Sequence, residues 1–322
     1  MVRVAVLDDW QGIAESLADW SGVRAKAELV VFREAFSDAA ATIAALRDFD
    51  VVVAMRERTR LHKDVIDALP KLKLLSFTGA RNAAVDIPAC TARGVTVCNT
   101  TGGGAPYDTA ELALGLLLAA ARHLPLGDAE VRAGRFQARV PPGTGLDGRT
   151  LGVIGLGRLG GRMASYGLAL GMKVLGWSQN LTAERATELG VEKVEKAALL
   201  ARADAISLHL VLSERTRGII GAADIAAMKP GALLVNTSRG RLVDEAALVA
   251  ALLAGKIAAA LDVFDREPLP AGHPLLTAPN TVLAPHLGYV TTDNMRHLHQ
   301  ASAENVAAWL AGTPINVVSP SA

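Results

Sequence analysis

The chain has 322 residues, enough for about two domains, each with a core of its own. With 51% apolar and 20% charged residues it is globular rather than disordered, and a formal charge of +1 leaves no basic field for nucleic acid. The only cysteines, Cys90 and Cys98, form neither a disulfide framework nor a C-x-x-C pair, so a reducing, cytoplasmic setting is expected.

The first residues, Met1 to Asp8, alternate like a strand and lack the charged flank and apolar core of a signal peptide. Apolar runs at Val2–Leu7, Val51–Met55, Leu72–Phe77 and Val95–Cys98 predict strands, with helices such as Ala39–Asp48 and Val85–Arg93 between them. This alternation predicts a parallel sheet covered on both faces. A glycine and proline cluster, Thr100 to Pro106, predicts a hinge or domain boundary near residue 100. Two helices follow, Tyr107–His123 and Leu126–Gly134. The apolar segment Leu112–Ala121 within the first is too short for a bilayer, which needs about 20 residues, so it reads as a buried helix or an interface between subunits.

The next segment, Leu151-Gly-Val-Ile-Gly-Leu-Gly-Arg-Leu-Gly-Gly, is the most informative in the chain. A short β-branched run breaks into Gly155, Gly157 and Gly160, spaced G-x-G-x-x-G. A helix is expected over Arg162–Leu170, and Met172–Trp177 supplies the second strand of a βαβ unit. In that context each glycine has a purpose. Gly155 allows a sharp turn, Gly157 lets a pyrophosphate reach the backbone, and Gly160 seats the helix on the sheet, while the N–H groups near Arg158 and Leu159 face the phosphates. Further strands at Ala205–Leu208, Ala232–Val235, Ala258–Leu261 and Val282–Leu283 bring the second sheet to about six. Helices are expected around Ala183–Leu189, Gly221–Met228 and Asp244–Leu253. A last helix, roughly Thr292–Ala311, is expected to return to the first domain. The domains predicted are therefore 1–99 plus 292–322 for substrate and 100–291 for the dinucleotide.

A nicotinamide dinucleotide implies hydride transfer, and reduction of a ketone also needs a proton donor and a group to hold the developing oxyanion. Ligands of open α/β sheets lie off the carboxyl ends of strands, and of seven histidines only His209 and His286 sit at such ends. His297 and His299 fall at i and i+2 of a helix and point apart, so no metal site is expected there. Arg239 follows a strand in Val-Asn-Thr-Ser-Arg-Gly, where its guanidinium fork suits a carboxylate beside a carbonyl. Asp262 and Glu267 follow the next strand, within reach of an imidazole whose protonated form a carboxylate favours.

At these segments the sequence resembles the D-isomer-specific 2-hydroxyacid dehydrogenase family over nearly its whole length. The resemblance is carried by Leu151–Gly160, by Met228-Lys-Pro-Gly-Ala-Leu-Leu-Val-Asn-Thr-Ser-Arg-Gly, by Leu261-Asp-Val-Phe-Asp-Arg-Glu-Pro-Leu-Pro and by Ala284-Pro-His-Leu-Gly. Lys71–Arg81 and Glu111–Leu118 carry it less strongly. It implies two doubly wound parallel-sheet domains, a Rossmann dinucleotide domain and a flavodoxin-like substrate domain. By resemblance, Arg239 orients a 2-oxo acid, His286 is the general acid and Glu267 its partner. Asp262 contacts the nicotinamide carboxamide, and Thr237, Ser238, His209 and Gly288 line the cofactor. The backbone N–H groups of Gly79 and Ala80 bind the substrate carboxylate. The activity implied is that of a phosphoglycerate dehydrogenase or a hydroxypyruvate or glyoxylate reductase, in a homodimer joined through the nucleotide domain.

Three positions depart from the family pattern. Ser178, followed by Gln179 and Asn180, stands where NAD-preferring members carry an acid for the adenosine ribose, which leaves NAD and NADP both open. Arg81 adds a charge to the substrate loop, and Arg56 and Arg58 follow the second predicted strand, where they suit an acidic group such as a phosphate. Val211 replaces a common proline. Two alternatives remain: a formate dehydrogenase, disfavoured because that branch has glutamine for Glu267, and a dinucleotide-sensing corepressor of the same fold. Neither a membrane nor a nucleic-acid partner is expected, nor a regulatory domain after Asn316–Ala322.

Overall fold

The computed structural model describes residues 1–100 and 106–319; the predicted hinge falls mostly on residues 101–105, outside them. The chain divides into two compact units, Met1–Ala105 with Thr291–Ala322, and Pro106–Val290.

The first unit is a five-stranded parallel sheet of β1 (Val2–Val6), β2 (Ala27–Val31), β3 (Val51–Ala54), β4 (Leu74–Phe77) and β5 (Thr96–Asn99), in the order β2-β1-β3-β4-β5. Because side chains alternate along a strand, Val4, Val6, Val51 and Val53 build a core on one face, and Ala5, Leu7, Val52 and Ala54 build one on the other. The helix Thr292–Leu310 packs on the first of these faces through Ala303 and Val306, and Asn305 Nδ2 donates to the Asn99 carbonyl at 2.9 Å. Cys90 and Cys98 are both buried thiols in this unit. Burial pushes Cys90 up to about 12 and Cys98 up to about 11.

The second unit is a seven-stranded parallel sheet of β6 (Thr150–Ile154), β7 (Lys173–Trp177), β8 (Glu192–Lys193), β9 (Ala205–Leu208), β10 (Leu233–Asn236), β11 (Ala258–Leu261) and β12 (Thr281–Leu283). The order is β12-β11-β10-β9-β6-β7-β8. The chain therefore reverses its winding between β6 and β9, and an open sheet holds its ligand at the carboxyl ends beside such a reversal. The helix Asp108–Ala121 buries Ala113, Leu116 and Leu117 in the core of its own sheet. The reading of Leu112–Ala121 as a buried helix describes this face.

Two sequence expectations are corrected. The sheet has seven strands rather than about six, because the two-residue edge strand β8 has no apolar pattern to reveal it. The helix after the glycine motif spans Arg158–Ala169 and so starts four residues before Arg162. Gly160 and Gly161 are both buried inside the helix, and at Gly160 a side chain has no room.

Candidate active site

At the β6–β9 reversal the three glycines prove to have different constraints. Gly155 adopts φ +94°, and a Cβ there would lie 2.6 Å from the His209 carbonyl oxygen. A Cβ on Gly160 would fall on the Gly155 carbonyl. A Cβ on Gly157, by contrast, meets nothing within 4 Å. Gly157 also caps the helix with no side-chain hydrogen bond, and the first intrahelical bond runs from Gly161 N to Gly157 O at 2.8 Å. The amides of Arg158 and Leu159 therefore have no intrahelical partner and lie at the positive end of a twelve-residue helix. An open cradle of amide donors fits the pyrophosphate of a dinucleotide.

Other residues line the same edge of the sheet. Ser178 is the first residue beyond β7, half-buried, and Gln179 after it is exposed. His209 ends β9; its Nε2 lies 2.8 Å from Ser207 Oγ, its Nδ1 is buried without a protein partner, and burial pushes the imidazole down to about 4. It is a neutral wall near pH 7. The hydroxyl of Thr237 is likewise buried without a partner, which costs roughly 1–3 kcal/mol and marks a place where a ligand's polar group would complete the bonding. The Ser238 hydroxyl instead donates to the Leu208 carbonyl at 2.7 Å, so it ties β10 to β9 rather than facing a cofactor.

Arg239 follows β10 on a turn built by Asn236, whose Nδ2 donates to the Arg239 carbonyl at 2.9 Å and whose Oδ1 accepts from Ser238 N at 3.0 Å. Gly240 is what lets the turn close, since a Cβ there would sit against the backbone of Phe264 and Asp265. The half-buried guanidinium donates to the Ser238 carbonyl at 2.7 Å.

Glu267 and His286 form the polar centre of the unit. His286 Nδ1 lies 2.6 Å from Glu267 Oε2, and Glu267 Oε1 accepts the Phe264 amide at 3.0 Å, which fixes the carboxylate. Both side chains are about four-fifths buried, at 19% and 23% exposure, so the pair is shielded but still reachable. With Nδ1 directed at the carboxylate, Nε2 lies on the opposite side of the ring from it. His286 adopts φ +56°, a left-handed conformation uncommon outside glycine.

Asp262 explains how that conformation is held. It is fully buried, its Oδ1 accepts the Leu287 amide at 2.6 Å and its Oδ2 the Gly288 amide at 2.9 Å. This carboxylate clamps the loop that presents His286. Desolvation raises Asp262 to about 6, opposed by the two amides and the imidazole. On the other side Thr109 Oγ1 donates to the Gly288 carbonyl at 2.7 Å, and a Cβ on Gly288 would meet Thr109 at 3.0 Å. Gly288 thus serves loop packing. The sequence marks Gly240 only as a turn residue and Thr109 not at all, since each acts through a partner more than twenty positions away.

A family model described as "D-isomer specific 2-hydroxyacid dehydrogenase, NAD binding domain" matches residues 114–288. The chain belongs to the D-isomer-specific 2-hydroxyacid dehydrogenase family. The D-3-phosphoglycerate dehydrogenase of Archaeoglobus fulgidus is 39% identical over 82% of this chain and 50% of its own length. The chain spans about half the length of such relatives. A glyoxylate reductase of Korarchaeum cryptofilum is 38% identical over 85% of this chain and 84% of its own. A phosphoglycerate oxidoreductase from Vibrio cholerae superposes with a TM-score of 0.90 at 40% identity, covering 97% of this chain and all of that one. Membership settles both sheet domains and the nicotinamide dinucleotide as cofactor.

In the first unit, the loop after β4 carries Gly79, Ala80 and Arg81. Gly79, at φ +94°, donates its amide to Thr100 Oγ1 at 2.8 Å, so that donor is committed within the unit rather than offered to a substrate. Ala80 and Arg81 are exposed. Arg56, at φ +50°, passes its guanidinium beneath Gly79, where a Cβ would collide with it, and its amide donates to Thr78 Oγ1 at 2.8 Å. Asp8, at the end of β1, is buried against Thr59 Oγ1 at 2.8 Å, and burial raises it to about 6. Among the described residues no group of three or more His, Cys, Asp or Glu is arranged to hold a metal ion, and no single helix is long and apolar enough to cross a bilayer.

Proposed function

We propose that this chain reduces a small 2-oxo acid to the D-2-hydroxy acid. The bound dihydronicotinamide supplies the hydride. His286 Nε2 gives its proton to the keto oxygen, and Arg239 holds the substrate carboxylate and the oxygen on which charge develops. Glu267 orients the imidazole through the bond to Nδ1. In the first unit, the Ala80 amide and Arg81 in the loop after β4 are donors of the kind that suit a substrate carboxylate.

Support comes above all from the Glu267–His286 pair at 2.6 Å, presented from successive strand ends of the same sheet that carries Arg239 and the glycine cradle. The cofactor is either NAD or NADP, because Ser178 presents no carboxylate to repel a 2′-phosphate. Two copies associate through the nucleotide unit, where Leu124, Val131 and Phe136 stand 57%, 62% and 76% exposed beyond the core helix.

Glyoxylate, hydroxypyruvate and phosphohydroxypyruvate, each assayed with NADH and NADPH and with the product's configuration determined, test the proposal. Turnover of at least one to a D-product is expected. Cofactor binding with no turnover of any of them would favour a dinucleotide sensor instead.

A further inference from the structure

The second unit carries a cavity of about 550 Å³ over the start of the helix Arg158–Ala169, lined by Leu156, Gly157, Arg158, Arg162 and Arg185 among others. Three of its lining residues are arginines and none is acidic. It is continuous with the pyrophosphate cradle, because Gly157 and Arg158 belong to both. Ser178 follows the strand that pairs with the glycine turn: Gly155 N donates to the Trp177 carbonyl at 2.8 Å.

Arg185 is the arginine the linear sequence hides. It lies seven positions beyond Ser178, in a short helix that Thr182 caps by accepting the Arg185 amide at 3.1 Å. Folding turns its side chain back over the phosphate-binding helix, with Nη2 3.8 Å from where a Cβ on Gly161 would stand. Its ion pair to Glu188, at 2.9 Å, is solvent-exposed on both sides, at 49% and 63%. Pairs of this kind contribute little and exchange readily for a stronger anion. Arg162 adds a fixed charge, held 3.8 Å over the Tyr107 ring.

An acid at the end of the second strand selects the ribose hydroxyls of NAD, and a nearby arginine accommodates the 2′-phosphate of NADP. Here the acid is replaced by Ser178 and the fold delivers an arginine. We propose that Arg185 binds the 2′-phosphate of the adenosine ribose, and that this chain therefore prefers NADPH to NADH. The inference rests on the dinucleotide site of the proposed function and names the residue that chooses between its two cofactors.

The test uses the full chain and two probes that lack nicotinamide, 2′,5′-ADP and ADP, with binding followed by isothermal titration calorimetry. A charge-assisted bond to the phosphate predicts 2′,5′-ADP to bind roughly tenfold or more tightly than ADP. Arg185→Ala should erase that preference by weakening 2′,5′-ADP, with ADP altered less than twofold, and Arg185→Lys should restore part of it. Circular dichroism melting separates loss of the phosphate contact from loss of fold. Equal affinity of the unaltered chain for both probes overturns the proposal, as does an Arg185→Ala preference that is unchanged, or a loss equal for both probes. Failure to bind either probe removes the dinucleotide site itself. ADP binding with no 2′-phosphate preference removes only the role of Arg185.

Discussion

Gly288 donates its backbone N–H to Asp262 Oδ2 at 2.9 Å, and with the matching bond from Leu287 this holds the loop in which His286 sits at positive φ. A buried carboxylate thus sets the orientation of a histidine it does not itself use. Asp262→Ala leaves two amides unsatisfied in the core, at roughly 1–3 kcal/mol each. We expect a lowered melting temperature and, at temperatures where the variant is folded, a loss of kcat for 2-oxo acid reduction larger than the change in dinucleotide Kd. An unchanged kcat would separate the clamp from the chemistry.

Glu267→Gln keeps the shape of the pair and removes its charge. The imidazolium then loses its counter-charge, so reduction should fall by about 10- to 100-fold, within the range general acid catalysis supplies. Steady-state rates at pH 7, with the melting temperature as control, check the size of that fall.

The glycines of the motif are expected to separate by experiment. Gly160→Ala places a methyl on the Gly155 carbonyl, so the turn and helix must move apart, and such overpacking costs about 1–3 kcal/mol. Gly157→Ala meets no protein atom within 4 Å and should leave thermal stability almost unchanged while weakening dinucleotide binding at least several-fold. Differential scanning calorimetry and ADP titration of the two variants should give opposite profiles. A stability loss at Gly157 equal to that at Gly160 would contradict the open cradle.

Stability should also vary with pH through Asp8. Its folded value, about 6, lies above the ordinary carboxylate value of 3.8, so the folded chain binds more protons than the unfolded chain between those limits. This contribution is fully present below about pH 4 and is lost as pH rises through 6. Asp8→Asn, which keeps a residue tolerant of φ +60°, should flatten that part of the profile. Urea unfolding at pH 4.5 and 7 in both chains measures the difference.

Phe136 is the most exposed aromatic residue of the nucleotide unit, and Phe136→Glu is expected to shift the chain from dimer toward monomer in analytical ultracentrifugation. A sedimentation coefficient unmoved by the change would place the interface elsewhere.

Much of this architecture is readable in the amino-acid order because parallel strands covered on both faces are written as continuous apolar runs. Val51–Ala54 and Ala205–Leu208 are examples in which every residue is buried. Ala27–Val31 escapes because it is an edge strand with one fully buried residue, so its pattern is blurred by solvent. In the site, Arg239, Glu267 and His286 are legible from their places just past strand ends. Thr109, and the loop clamp that Asp262 makes, are legible only in three dimensions. Each acts by touching backbone that the sequence puts far away, and a backbone contact leaves no residue-type signature at the other end. Arg185 belongs with them: nothing in Thr-Ala-Glu-Arg-Ala says that the side chain turns back over Gly161.

The two shielded thiols, finally, give the chain an internal reporter. Both thiols, Cys90 and Cys98, belong to the unit built on β1 to β5, and the other unit has no cysteine. A colourless thiolate-seeking reagent will react only when that one unit opens, so its labelling rate clocks the breathing of half the molecule while the other half stays silent.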